Sequence, residues 1–254
     1  MTSATAQVWY LTISREQWKT LLAAQLGWLL DAMDVMLYAF ALTVIRQEFS
    51  LDSAAAGGLA SVTLIASAFG GVFFGYLADR IGRAKALMYS ILVYSVFTAT
   101  TATAGSVTEL ILWRALVGIG LGGEWSAGSV LVSETWPAEH RGKAIGLMQS
   151  GWAIGYIFAA LLSAFILTSY GWRVLFAVGI LPALLTFWIR RHVKEPRLWS
   201  VQVEKKERVQ VLEIFRKPLL AKTFIASTLG ASVLFAYWGL FTWVPTFLDR
   251  KSVV

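Results

Sequence analysis

Four charged residues stand inside long apolar stretches of the sequence: Asp31, Asp34, Arg114 and Glu124. A charged side chain at the middle of a bilayer costs roughly 2.5–3.5 kcal/mol on insertion scales, so each of these residues needs a reason to be there. Asp31 and Asp34 are three residues apart and therefore share one face of a helix. Because three acids face one base, at least two carboxyl groups lack a fixed cationic partner.

Such carboxyl groups are suited to proton exchange. Burial raises a carboxyl pKa and an adjacent arginine lowers it. An acid that forms and breaks its contact with an arginine can therefore bind and release a proton. At 1.5 Å per residue, Asp34 lies roughly 22 Å above one membrane surface and Arg114 about 8 Å below the other. These heights match in a layer of about 30 Å, so we expect a salt bridge between them. The alternatives are a static ion-pair network that only fixes helix packing and, for Glu124, a place near the cytoplasmic rim.

The stretches around these residues are long enough to cross a membrane. Of the 254 residues, 57% are hydrophobic and 15% are charged. About 20 apolar residues form a helix that crosses the hydrocarbon layer, and the sequence therefore predicts an all-α membrane protein. Seven helices are predicted, at 20–45, 54–78, 86–107, 110–133, 144–168, 172–190 and 219–248.

Basic residues are distributed unevenly between the two sides of these helices. With the N-terminus inside, 17 Lys and Arg residues lie on the cytoplasmic side and four on the other. This bias predicts a cytoplasmic N-terminus, and it attributes the net charge of +7 to cytoplasmic loops rather than to nucleic-acid binding. The first apolar run is too long for a cleaved signal peptide and holds two aspartates, so the first helix is expected to be retained.

A charged segment separates the sixth and seventh predicted helices and marks a domain boundary. The predicted domains are a six-helix transmembrane bundle at 1–190, a basic cytoplasmic linker at 191–218, and the first helix of a truncated C-terminal bundle at 219–254. An inactive fragment of a longer protein is one interpretation of this organisation.

The loop between the second and third predicted helices carries a motif: Gly75, Asp79, Arg80, Gly82 and Arg83. The first glycine permits close helix packing, the second supports a tight turn, and the three charged residues can form a network. A loop that only sets topology would explain the basic residues but not the aspartate with both glycines. The motif resembles the signature loop of the major facilitator superfamily. The resemblance implies that this network latches the two halves of a transporter when its inner gate is shut.

Further stretches resemble branches of the same superfamily. Residues 114–125 and Lys194-Glu195-Pro196-Arg197 are similar to the sugar-porter and metabolite–proton symporter branches. The pair Asp31 and Asp34 resembles a motif of the sialate, aromatic-acid and lactate symporters. The resemblance implies the N-terminal six-helix bundle of a twelve-helix fold, followed here by a seventh helix, with inverted repeats inside the bundle.

The resemblance also implies a function, which is proton-coupled symport of a small organic acid by alternating access in the inner membrane. It gives Asp34 the role of proton carrier and Arg114 that of its switching partner, with Asp31 assisting or contacting substrate. An inactive fragment, or a carrier of a sugar or other metabolite, is the alternative. The expected partners are the lipid bilayer, a small-molecule substrate and protons.

Five residues are candidates for the substrate pocket, because they are polar or aromatic within predicted helices: Tyr38, Glu124, Gln149, Ser150 and Trp152. Packing alone is the alternative for the aromatic residues. The chain has no cysteine, and its two histidines, His140 and His192, lie in predicted loops. No metal, cofactor or enzymatic activity is therefore expected. A photoreceptor would need a lysine within 223–248, and that stretch has none.

Overall fold

The protein was analysed as a computed structural model that describes residues 9–204 and 211–252, and every regular element in these residues is a helix. The described residues fall into two compact units that divide between Lys206 and Glu207. The helical architecture predicted from the sequence is confirmed.

Four long helices come first: α1 (Arg15–Glu48), α2 (Ser53–Ile81), α3 (Arg83–Thr101) and α4 (Val107–Thr135). Three helices follow and run nearly without interruption: α5 (Arg141–Leu162), α6 (Thr168–Ala177) and α7 (Ala183–His192). A π-helical segment, Ser163–Leu167, joins α5 to α6, and a 3-10 turn, Val178–Ile180, precedes α7. The last two helices are the short α8 (Arg197–Glu204) and the long α9 (Leu219–Ser252).

Five stretches of the described residues are long and apolar enough to cross a membrane: Arg15–Glu48, Ala54–Ile81, Val107–Thr135, Arg141–His192 and Leu219–Ala236. The fourth stretch contains two predicted spans, 144–168 and 172–190. Gly171 separates them, since its backbone angles (φ 80°, ψ 174°) lie outside the helical region and are readily adopted only by glycine. The remaining predicted span corresponds to α3, which has 19 residues.

Side chains just before the helices determine where they begin. Ser14 and Gln17 form a capping box at the start of α1. Asp52 accepts a hydrogen bond from the Ala55 amide, and Ser106 accepts one from the Glu109 amide. Helix α3 ends at Thr101, earlier than the predicted boundary at 107, and α4 begins at Val107.

Glycines bring the central helices into backbone contact. A Cβ atom at Gly118 or Gly122 of α4 would overlap the carbonyl oxygens of Thr63 and Ser67 on α2. On another face of α4, Gly120 lies against the backbone of Tyr94 on α3. Such small residues let the backbones of membrane helices approach closely.

The same kind of contact joins α1 to α5. Gly151 and Gly155 of α5 lie against the backbone carbonyl oxygens of Gln25 and Leu29 on α1. The first compact unit therefore contains two sets of tightly packed helices, one of α2, α3 and α4 and the other of α1 and α5.

One predicted packing glycine has no close neighbour in the described part of the chain. A Cβ atom at Gly75 would meet no atom of the described residues within 4 Å. At this level of α2 the contact with α4 is made by Phe74, whose ring lies on Gly123. The packing role of Gly75 therefore stays a prediction.

Gly122→Ala should destabilise the bundle, because its methyl group needs space that the α2 backbone occupies. We expect the free energy of unfolding to fall by about 1–3 kcal/mol, the usual cost of overpacking. The measurement is unfolding of the purified chain in mixed micelles. Gly146→Ala on α5 is the matched control, because nothing lies within 4 Å of its Cβ position. Equal stability of both variants would contradict the packing described above.

Candidate functional site

A buried ion pair joins α1 to α4. Arg114 Nη1 lies 3.2 Å from Asp34 Oδ2. Arg114 is 1% exposed and Asp34 is 3% exposed. The salt bridge expected from the heights of the two residues is present.

Two neighbouring side chains complete the surroundings of this pair. Thr98 of α3 donates a hydrogen bond to the second carboxylate oxygen of Asp34. The Arg114 guanidinium lies over the ring of Tyr38, 4.4 Å from the ring centroid, which is a cation–π geometry. Asp34 thus has two donors, from different helices, and the ion pair holds α1, α3 and α4 together at one level.

The other two acids of the apolar stretches are buried without such partners. Asp31 is 5% exposed and Glu124 is 1% exposed. Among the residues that the structure describes, Asp31 Oδ1 and both carboxyl oxygens of Glu124 have no hydrogen-bond partner. Gly27 of α1 leaves room for the carboxyl group of Glu124 between the helices, and its depth in the membrane stays a prediction.

Three tryptophans from three helices form an aromatic cluster. Trp28 of α1 lies between Trp125 of α4 and Trp152 of α5, with ring centroids 4.9 Å and 5.1 Å away. Trp125 is exposed and the other two are half-buried. The indole nitrogen of Trp28 is buried without a hydrogen-bond partner in the described part of the chain.

The polar pocket candidates on α5 are at the surface of the bundle. Ser150 is exposed and accepts a hydrogen bond from Gln25 Nε2 at 3.0 Å. Gln149 is exposed as well. Of the five pocket candidates, the structure therefore brings Tyr38 to the ion pair and Trp152 to the tryptophan cluster. It places Glu124 in the interior of the bundle and leaves Gln149 and Ser150 at the surface.

A second charge network lies at the α2–α3 loop. Arg83 contacts Asp79 Oδ1 at 2.7 Å and makes a two-pronged interaction with Glu134 of α4 at 3.0 and 3.1 Å. It also donates to the carbonyl oxygen of Ala78 at 2.8 Å. Gly82 makes the turn with a φ of 116°, in the region that favours glycine.

The segment after α7 returns to the same loop. Glu195 accepts hydrogen bonds from the backbone amides of Ala84 and Lys85 at 3.0 and 3.1 Å, so its carboxylate caps the start of α3. The Trp199 indole of α8 donates to the carbonyl oxygen of Asp79 at 3.0 Å. The predicted linker, 191–218, thus contains a short helix, and the predicted domain boundaries stay a prediction.

Arg80 is predicted from the sequence to join this network, but the structure places its side chain elsewhere. Its guanidinium lies 4.4 Å from the ring centroid of Tyr76, one turn earlier on α2. The reason is helical geometry, because residue 83 follows the Gly82 turn and faces α4, whereas residue 80 still points along the outer side of α2.

Sequence reasoning missed Thr98, Tyr94, Gln25, Glu134 and Glu195 as parts of these sites. A signal for the first two was available, since Tyr94, Thr98 and Thr101 follow a helical spacing of four and three in a helix that has no charged residue after Lys85. All three are buried. Within residues 9–204 and 211–252, no group of three His, Cys, Asp or Glu side chains is arranged to hold a metal ion.

Comparison with known proteins places these features in a family. Residues 26–253 match the family model of the Major Facilitator Superfamily. The chain is 36% identical over 246 residues to a putative metabolite transport protein of Haemophilus influenzae, covering 92% of this chain and 60% of that protein. It is 35% identical over 248 residues to the cis,cis-muconate transport protein of Acinetobacter baylyi, covering 94% of this chain and 60% of that protein.

Solved structures resemble the chain in the same way. The proton:xylose symporter XylE, bound to 6-bromo-6-deoxy-D-glucose, superposes with a TM-score of 0.68 at 25% identity. The match covers 83% of this chain and 51% of that one. The chain thus spans about 60% of the length of the relatives it matches, and about half of the matched structure.

Removing only the acid of the buried ion pair should destabilise the bundle. Asp34→Ala leaves the Arg114 charge without an anion, and we expect a loss of about 3–5 kcal/mol in the free energy of unfolding. The double variant Asp34→Ala/Arg114→Met removes both charges and should recover most of that loss. Unfolding of both variants in mixed micelles measures the difference. A double variant less stable than the single one would show that the charges are not coupled.

Proposed function

The chain belongs to the major facilitator superfamily of membrane transporters, and from this premise we propose that the protein is a proton-coupled symporter of a small organic acid that works by alternating access. The observation that carries the proposal is the buried Arg114–Asp34 pair beside two acids, Asp31 and Glu124, that make no ion pair with any residue the structure describes. The superfamily is one of transporters rather than enzymes, and the chain is a multi-pass integral membrane protein.

The ion pair offers a direct way to link a proton to an anion. Arginine keeps its positive charge in proteins, so Arg114 needs an anion at every stage. When Asp34 accepts a proton, the guanidinium loses its counter-charge, and the carboxylate of a substrate can replace it. When the substrate leaves, Asp34 must release its proton to pair with Arg114 again. Proton and substrate then travel together because one cation accommodates one anion at a time.

The surrounding residues suit a planar organic acid. Tyr38 contacts Arg114, and the cluster of Trp28, Trp125 and Trp152 supplies aromatic surface from α1, α4 and α5. Flat conjugated molecules stack well on such rings. The name of the Acinetobacter baylyi relative, a cis,cis-muconate transport protein, agrees with an acid of this kind. In this proposal Asp31 assists proton transfer, and Gln149 and Ser150 contact substrate when a second half of the transporter covers them.

The network at the α2–α3 loop is proposed to stabilise one state of the transport cycle. Arg83 is held by Asp79 and Glu134, while Glu195 caps α3. Small shifts between packed helices can break several of these contacts at once, as a two-state latch requires. The side of the membrane on which the latch lies is proposed to be the cytoplasmic side of a bacterial inner membrane.

A second candidate substrate class is a sugar. It is favoured by the likeness to the proton:xylose symporter, at 25% identity and a TM-score of 0.68. The tryptophan cluster would also stack on a sugar ring, but a neutral sugar does not explain the need for Arg114.

Transport by the complete gene product in proteoliposomes tests the proposed function. With cis,cis-muconate or benzoate outside and a pH indicator inside, we expect substrate uptake accompanied by acidification, and no response to xylose. Asp34→Asn should reduce substrate-driven proton uptake to the level of empty vesicles, because an amide cannot carry the proton. Asp52→Asn is the matched control, since asparagine caps a helix as well as aspartate does.

Three outcomes would contradict the proposal. Proton uptake that survives in Asp34→Asn would remove the role of Asp34. Uptake of the acid without acidification would remove proton coupling. Uptake of xylose in place of the acids would favour the sugar carrier.

The orientation of the chain can be tested separately, because the sequence has no cysteine and single-cysteine variants carry no background. Lys85→Cys and Thr103→Cys lie at opposite ends of α3, and both positions are exposed. With the N-terminus inside, an impermeant maleimide should label Thr103→Cys in intact spheroplasts and label Lys85→Cys only after permeabilisation. The reverse pattern would contradict the proposed orientation.

A further inference from the structure

We propose that Glu124 is a second proton-binding site, distinct from the Asp34–Arg114 pair and protonated in the conformation described here. The site itself follows from the packing of α1, α3 and α4. Its use in transport rests on the proposed function, and the tests below separate the two.

The position of Glu124 is the first step of the argument. The residue is 1% exposed, and neither carboxyl oxygen has a hydrogen-bond partner among the described residues. Its carboxyl group occupies the space beside Gly27 of α1 that a side chain would otherwise fill. The neighbouring wall is apolar, since the Cβ position of Gly128 adjoins Glu124 Oε1, Ala24 and Leu87.

The charged and titratable groups around Glu124 are the second step. Asp31 of α1 and Tyr94 of α3 are close enough to Glu124 to interact with it electrostatically. On α4 itself, Arg114 is ten residues away, about 15 Å along the axis, and is paired with Asp34. The spanning parts of the other neighbours, 53–78 on α2 and 144–162 on α5, contain no Asp, Glu, Lys or Arg.

The third step is the cost of a charge at this place. A buried carboxylate with no cation and no hydrogen bond is strongly disfavoured, and the group takes up a proton instead. The nearby Asp31 offers repulsion rather than compensation. Glu124 is therefore a neutral carboxylic acid in this conformation.

The position of Asp31 connects the two proton sites. Gly27, Asp31 and Asp34 follow each other on one face of α1 at intervals of four and three residues. Glu124 lies beside the first of them and Arg114 contacts the last. When α1 and α4 separate enough to admit water, Glu124 can release its proton to that water and later regain one from the opposite side. No other bond is formed or broken.

Infrared difference spectroscopy of the 254-residue chain in lipid nanodiscs tests for the bound proton without requiring transport. At neutral pH we expect the carbonyl stretch of a protonated carboxylic acid, shifted in D2O. Asp31 is also buried without a cation among the described residues, so the comparison is made in an Asp31→Asn background. There Glu124→Gln should remove the band, and Glu124→Asp, which keeps the acid, should retain it. Glu139→Gln, at an exposed loop position, is the matched control and should leave the band unchanged. Absence of the band from Asp31→Asn, or its persistence in Asp31→Asn/Glu124→Gln, would overturn the inference.

The role in transport is measured on the complete gene product in proteoliposomes. We expect Glu124→Gln to carry one proton fewer per substrate molecule than the unmodified protein. An unchanged proton-to-substrate ratio would overturn the transport role of Glu124 and leave the proposed symport intact. Failure of the unmodified protein to transport any organic acid would overturn the proposed function, and the infrared result would still decide whether Glu124 holds a proton.

Discussion

The structure depends on one constraint, which is that the positive charge of Arg114 has to be neutralised in the interior of the bundle. A guanidinium group does not lose its proton, and its desolvation is tolerated only with an anion and good hydrogen-bond geometry. Asp34 supplies the anion, Thr98 orients that carboxylate, and Tyr38 covers the cation with its ring. These contacts fix the relative height of three helices.

The buried charges lie where the two glycine-packed sets of helices meet. Glycines join α4 to α2 and α3 through backbone contacts, and they join α5 to α1 in the same way. Between α1 and α4, by contrast, ionisable side chains contribute contacts, Asp34 with Arg114 and Glu124 against Gly27, beside the rings of Trp28 and Trp125. Backbone contacts between helices are hard to alter, whereas contacts between charged side chains respond to protonation and to ligands. Protonation or a ligand can therefore change contacts between α1 and α4.

Sequence reasoning predicted the helices and the ion pair because both follow from distances along the chain. Apolar length locates a span, and residue number gives the depth of Asp34 and Arg114. It did not predict the contacts of Thr98 or Arg80, since these depend on how each helix is rotated about its axis. In a soluble protein the polar side of a helix reveals that rotation. In a bilayer the lipid and the protein interior are both apolar, so hydropathy leaves the rotation undetermined.

The cap that Glu195 places on α3 has a consequence for biogenesis. Chains emerge from the ribosome in order, and N-terminal segments fold first during synthesis. Residue 195 is made more than a hundred residues after the loop that it holds. Until then the first amides of α3 lack this carboxylate, and Asp79 lacks the indole of Trp199. The early hairpin of α2 and α3 is therefore completed only when the sixth span has been inserted, which ties the maturation of the loop to the assembly of the whole bundle.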